Sequence, residues 1–486
     1  MRRYAAAAVL SITMLCGCAL QSPPRPDEIR GQSLANFRPA STWTAAPAET
    51  GLLRDDWLKA FNDPQLDALV REALAYNADL MVAAARVEQA AAYAKLAGAQ
   101  IYPAVNVLAH GGGKMGGDGS GLSGVGLFAS WELDLWGRVR YQRAAGEQQY
   151  LAAVADAEYA RQSIAATVAK SWMLAIQSGL ALGIANDIVR SNEKSLGLAG
   201  DRLRVGRGDE YDVTLTQANL DTARDAARQL GLGQQQALRA LETLVGRYPE
   251  AALRVPEALP AVPGPTPAGV PAELLERRPD IVAAERRVAA AFNNVGEAKA
   301  ARLPKISLSA SVTSLSSSLF VLQSHSNPVA SLGANLVAPI FNGYALEAQV
   351  DIRNAEQKVA IADYGRVAQR AFGEVEAALS GALTADEREV ILARSVTSNA
   401  RTLELANVRF TVGSGDLRAV LQQNVALYGA RTALLQAQTD RLVQRINLYL
   451  ALGGSFEPDV TPAVPVTGSI EDGASLAHAN TPRTAE

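Results

Sequence analysis

The stretch Lys305–Phe341 contains two runs that alternate apolar and small polar residues, separated by a polar loop. In the first run, hydroxyl residues lie between apolar ones, as in Ile306, Ser307, Leu308, Ser309, Ala310, Ser311, Val312 and Thr313. A period of two predicts β-strands with one apolar face, and the pair of runs predicts a hairpin. Each run is about as long as the ~9–11 residues that cross a bilayer in a β-barrel. The hairpin therefore suits either a soluble β-sandwich or a membrane barrel.

The hairpin and its flanking sequence occur twice in the chain. Alternation begins at Val105, continues through Val107 and Ala109, and returns from Val125 to Leu135 after a glycine-rich turn. Further matches between the two halves are Arg86 with Arg287 at a shift of 201, Tyr159 with Tyr364 at a shift of 205, and Gly246 with Gly453 at a shift of 207. Self-similarity of this kind indicates a tandem duplication, here of about residues 64–246 and 271–453.

The first residues have the pattern of a secretory signal. Arg2 and Arg3 precede an apolar run that ends in Leu15-Cys16-Gly17-Cys18. The pattern predicts a signal peptide over 1–17, and the last four residues resemble a bacterial lipobox, which makes Cys18 the lipidated first residue of the mature chain. Cys16 fits less well because Thr13 would stand at its leucine position.

Removal of the signal leaves a single cysteine, so the sequence predicts no intrachain disulfide and no cysteine-built metal site. Acyl chains that contribute about 0.8 kcal/mol per buried CH₂ would anchor the chain stably. Ala19 follows the lipidated position instead of aspartate, and resemblance to bacterial lipoproteins therefore favours the outer membrane.

Composition excludes some classes of protein. The 486 residues carry a formal net charge of −3 with no basic run, so nucleic acid is not an expected partner. After the signal, the sequence shows no run of about 20 uncharged apolar residues of the kind that spans a membrane as a helix. Any membrane crossing is therefore expected to use closed β-strands.

Proline-free stretches from Pro103 to Pro249 and from Pro339 to Pro458 permit very long helices. We predict helices over Arg138–Arg204 and Tyr344–Thr411, each roughly 100 Å long. Shorter helices, the first with heptad spacing, are predicted over Pro64–Gln100, Tyr211–Val245, Pro271–Arg302 and Leu417–Leu452. Two short helices stacked end to end would match one long helix, so the sequence predicts an elongated coiled-coil bundle with four columns.

Two Val-Gly-x-Gly-Asp turns, Val205–Asp209 and Val412–Asp416, join each long helix to a shorter returning one. The first glycine of each turn can take a left-handed C-terminal cap and the aspartate can cap the next helix, which is enough to explain these residues. The functional alternative is that both turns lie together, at the end far from the strands, and dock a partner.

The predicted organisation has six parts. They are a signal peptide at 1–17, a lipidated extended arm at 18–62, a first repeat at 63–246 with a hairpin at 104–136, a proline-rich connector at 247–270, a second repeat at 271–453 with a hairpin at 305–341, and a largely disordered tail at 454–486.

The sequence offers little support for an enzyme. The three histidines, all expected in loops or the tail, are His110, His325 and His478. A Gly-x-Gly-x-x-Gly match from Gly111 to Gly116 lies between two strands and therefore indicates a hairpin loop. Glu132 and Asp134 alternate with apolar residues on a strand, which would point them at a lumen. We therefore predict no catalytic residue, no metal site and no cofactor beyond the lipid on Cys18.

Four strands cannot close a barrel around water, and an open strand edge is not tolerated in lipid. Two copies would supply eight strands, whose interior is filled by side chains, whereas three would supply twelve and leave a channel. The sequence therefore predicts a mainly α-helical chain whose four β-strands contribute to a shared, trimeric twelve-strand barrel.

Several motifs together resemble one family. They are Leu15-Cys16-Gly17-Cys18, the run from Trp131 to Arg138, both Val-Gly-x-Gly-Asp turns, Arg278-Pro279-Asp280-Ile281 and Leu452-Gly453-Gly454. The chain resembles the TolC-like outer-membrane factors over about residues 18–455, and within them the NodT-type efflux lipoproteins. The resemblance implies a homotrimeric exit duct that meets a periplasmic adaptor (membrane fusion) protein. Through the adaptor it implies an inner-membrane pump, commonly of the resistance-nodulation-division class, which moves drugs or other small molecules.

The resemblance also implies roles for particular residues. The expected adaptor-docking tips are Gly206, Gly208, Asp209, Gly413, Gly415 and Asp416, and the expected periplasmic constriction involves Arg409 and Asp416. No aspartate pair lies between Arg394 and Val412, so the constriction differs from that of the best-known secretion members. An exit duct for secreted polypeptides or metal ions, and a lipid-anchored periplasmic scaffold without a pore, are the alternatives. The sequence does not identify the substrate.

Overall fold

A computed structural model describes residues 20–37, 42–45, 56–110, 122–264, 268, 271–317 and 329–455. The helices are α1 (Pro26–Ser33), α2 (Pro64–Tyr76), α3 (Ala78–Ala99), α4 (Arg138–Arg204), α5 (Glu210–Leu244), α6 (Leu274–Arg277), α7 (Pro279–Ala300), α8 (Ala345–Thr411) and α9 (Leu417–Ala451). The strands are β1 (Ala104–His110), β2 (Leu122–Leu133), β3 (Lys305–Ser317) and β4 (Val329–Val337). Short 3₁₀ helices occupy Trp57–Phe61 and Pro271–Glu273.

The four strands form one antiparallel sheet in the order β1-β2-β3-β4. Both predicted hairpins are present, and they join through β2 and β3, where Ala129 lies opposite Ala310. The last strand ends at Val337, before the end of the predicted hairpin at Phe341, because Pro339 lacks the N–H group that a ladder needs. Because the strand order is β1-β2-β3-β4, strands β1 and β4 are the two edges of the sheet.

The helices pack side by side in a constant order. Near the strands the neighbours run α3, α4, α7, α8, and near the turns they run α5, α4, α9, α8. Each of the long helices α4 and α8 has 67 residues, which confirms the predicted long helices, although Tyr344 is the cap of α8 and not its first residue. Helices of the first repeat form one flank of the bundle, and α8 forms the other.

The predicted continuous helices over Pro64–Gln100 and Pro271–Arg302 are wrong. Both are broken at equivalent positions, Asn77 and Arg278, where the backbone is extended. The side chain of Asn77 accepts the N–H groups of two following residues and so caps a new helix. Arg278 precedes Pro279, and a residue before proline is pushed away from the helical conformation.

The largest hydrophobic core surrounds these breaks, midway along the bundle. Trp172 of α4 is fully buried there, and its indole N–H donates to Oδ2 of Asp63 over 2.7 Å. The other oxygen of Asp63 accepts the N–H groups of Gln65 and Leu66 at the start of α2. One carboxylate therefore begins a short helix and fixes it to a long one.

The arm predicted as extended contains helix α1 in its described part. Pro26 is the first residue of this helix, and the carboxylate of Glu28 accepts the N–H of Arg25 over 3.3 Å. The helix packs on α8 at Gly365, where an added Cβ would lie 2.9 Å from the carbonyl oxygen of Ser33. Helix α1 is thus docked on the second repeat.

One helix of the described chain, α4, is long and apolar enough to cross a membrane by length and composition alone, although the sequence predicts no such helix. An 18-residue window of this helix has a mean hydropathy of 1.3. The helix is, however, roughly three times longer than the ~20 residues that cross a bilayer. It also packs against α3, α5, α7 and α9, so its apolar content serves the bundle.

Candidate channel wall and helix tips

The turn that follows each long helix has the predicted capping geometry. Gly206 has φ +70° and Gly413 has φ +82°, both left-handed conformations that glycine adopts without strain. Oδ1 of Asp209 accepts the N–H of Asp212 over 2.8 Å, and Oδ1 of Asp416 accepts the N–H of Arg418 over 3.0 Å. The predicted caps are therefore confirmed at both turns, which we call the tips.

The second glycine of each tip is required by close packing. A Cβ on Gly208 would lie 3.1 Å from the backbone nitrogen of Leu203. A Cβ on Gly415 would lie 2.9 Å from Cβ of Arg409 and 3.0 Å from the backbone nitrogen of Phe410. Each tip therefore folds tightly across the end of the helix that precedes it.

The two tips lie together, which the functional alternative for these turns requires. A small separate core at this end contains Ala199, Phe410, Leu417, Val420 and Leu421. The guanidinium of Arg202 lies 4.5 Å from the ring centroid of Phe410, and that of Arg418 lies 5.5 Å from the ring of Tyr211. Each cation–π contact joins one repeat to the other and is worth about 0.5–1 kcal/mol at an exposed site.

Charged groups are concentrated at the tips. Nε of Arg418 lies 3.0 Å from Oδ2 of Asp416. Burial raises the pKa of Asp212, and the carboxylates of Asp209 and Asp416 raise it further. Arg409 is exposed, and its carbonyl accepts the N–H of Ser414 over 2.9 Å. Docking at the tips, and a constriction at Arg409 and Asp416, stay predictions.

The sheet has one apolar and one polar face. On the polar face, the hydroxyls of Ser311 and Ser331 share a hydrogen bond of 2.7 Å, and Ser309 donates to the carbonyl of Gly333 over 3.5 Å. On the apolar face, Val107 and Leu332 are 69% and 89% exposed. A broad exposed apolar face opposite a hydroxyl-rich one is typical of a barrel wall between lipid and a wet lumen.

The carboxylates that the sequence points at a lumen have structural partners at the base of the strands. Both oxygens of Glu132 accept from Arg138 at 2.9 Å. Asp134 lies beyond the end of β2 and accepts the N–H groups of Val139 and Arg140 at 3.0 and 2.9 Å, so it begins α4. These residues fix the junction between the sheet and the helices.

A buried charge cluster lies at the break between α6 and α7 and was not predicted as a site. Arg278 and Asp280 were recognised in the sequence only as part of a family motif, and Glu374, on a helix distant in the sequence, was not singled out. Arg278 is fully buried and donates to both oxygens of Asp280, to Glu374 over 2.7 Å and to the carbonyl of Ala451 over 3.1 Å. Burial would lower the pKa of Arg278, but the hydrogen bonds and charges of Asp280 and Glu374 outweigh it and raise that pKa. The arginine therefore stays charged and binds three elements together.

Cys18 lies outside the described residues, which begin two positions later at Leu20. The side chain of Leu20 packs at Gly137, and the N–H of Gln21 donates to the hydroxyl of Tyr141 over 2.9 Å. The described chain therefore starts at the junction of β2 and α4, beside the base of the sheet.

One of the three histidines lies within the residues that the structure describes. His110 is the last residue of β1, and not in a loop as predicted, while His325 and His478 lie outside the described residues, as does the Gly111–Gly116 match. Within the part of the chain that the structure describes, no group of three or more His, Cys, Asp or Glu residues is arranged to hold a metal ion.

Comparison with known proteins gives consistent matches. A profile of the outer membrane efflux protein family matches residues 69–247 and 270–454. The pyoverdine export outer membrane protein OpmQ of Pseudomonas aeruginosa is 34% identical over 433 residues, which cover 83% of this chain and 88% of that protein. The cation efflux system protein CusC of Escherichia coli K12 is 31% identical over 408 residues, covering 82% and 88%.

The fold matches solved channels as well. The open state of the MtrE outer membrane channel of Neisseria gonorrhoeae superposes with a TM-score of 0.76 at 28% identity, covering 91% of this chain and 99% of that one. The resemblance drawn from the sequence motifs is thereby confirmed. The chain belongs to the outer membrane efflux protein family, whose members are the outer-membrane channels of tripartite efflux systems.

Proposed function

We propose that three copies of this chain form one lipid-anchored exit duct, with a shared twelve-strand barrel in the outer membrane and a helical tube in the periplasm. The observation that carries the proposal is that the strands and helices of one chain lie side by side with the two repeats in the same order, both in the sheet and along the bundle. The elements β1, α3 and α5 lie on one flank, and β4 and α8 lie on the other. Identical copies can therefore close side by side, and three copies of four strands leave a water-filled channel.

Exposed apolar side chains on both flanks support this closure. Residues more than half exposed include Met81, Tyr93 and Leu96 on α3, and Val359, Val390 and Ile391 on α8. Extended apolar surface on a protein marks a contact with another chain or with lipid. In the proposed duct only the strands lie in lipid, and the helices lie outside the membrane. We therefore assign these helical surfaces to contacts between neighbouring copies of the chain.

The position of Leu20 supports a lipid anchor on Cys18. Leu20 is two positions after Cys18, so their Cα atoms lie at most about 7 Å apart. The acylated cysteine would thus lie beside the junction of β2 and α4, at the level where the apolar face of the sheet begins. Acyl chains there would enter the same lipid that covers the sheet.

The anchor is tested by metabolic labelling with a radioactive fatty acid. We expect wild type and Cys16→Ala to incorporate the label, and Cys18→Ala to lose it. Labelling that survives in Cys18→Ala and disappears in Cys16→Ala would overturn the assignment.

We infer that the tips dock a periplasmic adaptor, which connects the duct to an inner-membrane pump of the resistance-nodulation-division class. The tips are the end of the bundle farthest from the strands, and they present glycine-rich turns with exposed charges. An adaptor that separates the two tips would break the contacts of Arg202 with Phe410 and of Arg418 with Tyr211. The free energy of opening would then come from adaptor binding, and the duct itself would need no energy source.

We infer that the cargo is a class of small organic molecules, drugs included. The relative OpmQ is a pyoverdine export protein, and pyoverdine export is the transport of an organic solute. The hydroxyl-rich wall of the sheet carries no charged residue between Glu132 at its base and the outer rows. The similarity to a cation efflux protein makes metal ions the second candidate.

The function is tested by deleting the gene and measuring inhibitory concentrations of organic antibiotics, dyes and metal salts. We expect the deletion to sensitise the cell to organic compounds, and the wild-type gene to restore resistance. Sensitisation to metal salts alone would favour the second candidate. An unchanged profile, together with purified protein that gives no conductance in planar bilayers even when Arg202→Ala/Arg418→Ala removes the contacts between the tips, would reject the duct.

A further inference from the structure

One cross-strand row interrupts the polar face of the sheet. Leu108, Gly126, Thr313 and Val329 are opposite one another on β1, β2, β3 and β4. They share a face with Ser311 and Ser331, because side chains at every second position of a strand point the same way. The row therefore crosses the whole sheet on the side that carries the hydroxyls.

The ring of Phe128 fills the gap left by the glycine in this row. A Cβ on Gly126 would lie 2.8 Å from Cε2 and 3.0 Å from Cζ of Phe128, and would also meet the methyl group of Thr313. The ring thus leans from its own position into the neighbouring row. Leu108, the ring of Phe128, the methyl of Thr313 and Val329 together form what we call the apolar row.

Nothing in the described part of the chain covers the apolar row. Leu108 is 61% exposed, Phe128 36% and Val329 51%. The row towards the base carries Asn106, Ser311 and Ser331, and the charged residues Glu132 and Lys305 lie lower still. The apolar row therefore lies on the outer half of an otherwise hydroxyl- and amide-rich surface.

We propose that the apolar row is a contact site for the cargo, and that it binds the uncharged aromatic or aliphatic faces of organic solutes as they leave the duct. The proposal rests on the proposed function, in which three copies of the polar face enclose the lumen. Three apolar rows then form a girdle around the lumen. Because the girdle offers apolar surface and no charge, it favours organic solutes over hydrated ions and sugars.

Single-channel recording in planar bilayers tests this site with the full-length protein, in a background that carries Arg202→Ala/Arg418→Ala so that the tips can open without an adaptor. The variant Leu108→Asn/Val329→Asn replaces two residues of the apolar row with asparagine, a residue that this face already carries at Asn106. Phe128 is kept because it supports Gly126. Ser331→Asn, one row lower, is the matched control, since it adds an amide of the same size without removing apolar surface. The probes are N-acetyltryptophanamide, which is neutral and aromatic, and sucrose.

We expect N-acetyltryptophanamide to interrupt the current of the background, and the mean interruption to shorten about fivefold when Leu108→Asn/Val329→Asn is added, since less apolar area is buried in each contact. Ser331→Asn should behave like the background, and sucrose should not distinguish the three proteins. Equal interruptions in the background and in Leu108→Asn/Val329→Asn, or the same loss in Ser331→Asn, would overturn the contact site. No current from the background with opened tips and an intact apolar row would instead overturn the proposed duct.

Discussion

Nη1 of Arg278 donates a hydrogen bond to the carbonyl oxygen of Ala451 over 3.1 Å. In the first repeat, the amide of Asn77 donates to the carbonyl of Leu244 over 2.8 Å. Leu244 matches Ala451 at the same shift of 207 that pairs Gly246 with Gly453. The last carbonyls of a helix lack hydrogen-bond partners within that helix. In both repeats, a side chain at the break between two helices donates a hydrogen bond to one of these carbonyls.

Arg278→Ala should destabilise the protein strongly, by about 3 kcal/mol or more, because it leaves the carboxylate of Asp280 nearly buried and without its closest cation. Thermal unfolding of the detergent-solubilised protein, followed by circular dichroism, measures the loss. Asn77→Ala is the matched control in the first repeat. It removes a neutral hydrogen bond and a helix cap, so we expect a smaller loss of about 1–2 kcal/mol. Equal losses in the two variants would contradict the assignment of a charged anchor to the second repeat alone.

Long-range features of the fold were predictable wherever one residue type repeats at a fixed period. Alternation over Ile306–Thr313 predicted a strand, and the absence of proline after Pro103 permitted the 67-residue α4. The breaks at Asn77 and Arg278 were not predicted, because heptad spacing continues across them. Pro279, directly after Arg278, was the one sequence feature that indicated a break, and it indicated only the one in the second repeat.

The candidate site was predictable in its capping residues and not in its packing. Val-Gly-x-Gly-Asp predicts the caps because glycine and aspartate have local roles that need no tertiary contact. The contact of Arg202 with Phe410 joins residues far apart in the chain, and the register of β2 on β3 decides that Gly126 meets Thr313. Neither was predicted, since no local pattern encodes such pairings.

Glu242 should make stability depend on pH. Burial would raise the pKa of Glu242, but the N–H groups of Ala251, Leu253 and Ala252 that its carboxylate accepts outweigh burial and lower that pKa. The unfolded chain therefore binds this proton more readily. The stabilising contribution is complete above the unfolded value of 4.5 and is lost as pH falls through the folded pKa.

Glu242→Gln should therefore be less stable than wild type at pH 7, by about 2 kcal/mol, because it weakens hydrogen bonds to a charged acceptor. The difference should shrink as the pH is lowered below 4.5. Denaturant unfolding of both proteins across this range measures it. A difference that stays constant with pH would show that the charge of Glu242 does not hold the connector.

Gly415→Ala should destabilise the tip by about 1–3 kcal/mol, since the added methyl would overlap the backbone and Cβ of Arg409. Gly429→Ala is the matched control, because this exposed position within α9 has no atom within 4 Å of an added Cβ. There we expect a gain of about 0.5–1 kcal/mol from helix propensity. Hydrogen exchange at the tip and thermal unfolding measure both, and a neutral Gly415→Ala would contradict the packing described for the tip.

Cysteine pairs placed near Asp416 on neighbouring subunits should stop transport when they are oxidised, because opening the proposed constriction requires the subunits to move apart at this position. The processed chain has one native cysteine, which carries lipid in the proposed duct, so the introduced thiols would be the reactive ones. Efflux of a fluorescent substrate is measured before and after reduction, with each single-cysteine variant as control. Efflux that continues with the cross-link formed would reject a gate at this position.

Native mass spectrometry of the processed full-length protein in detergent tests the shared wall most directly. With two open flanks on each chain, we predict a species of three chains that persists on dilution, with the mass of the acyl chains added to each. A species of one chain, stable and soluble with its edges uncovered, would contradict the account.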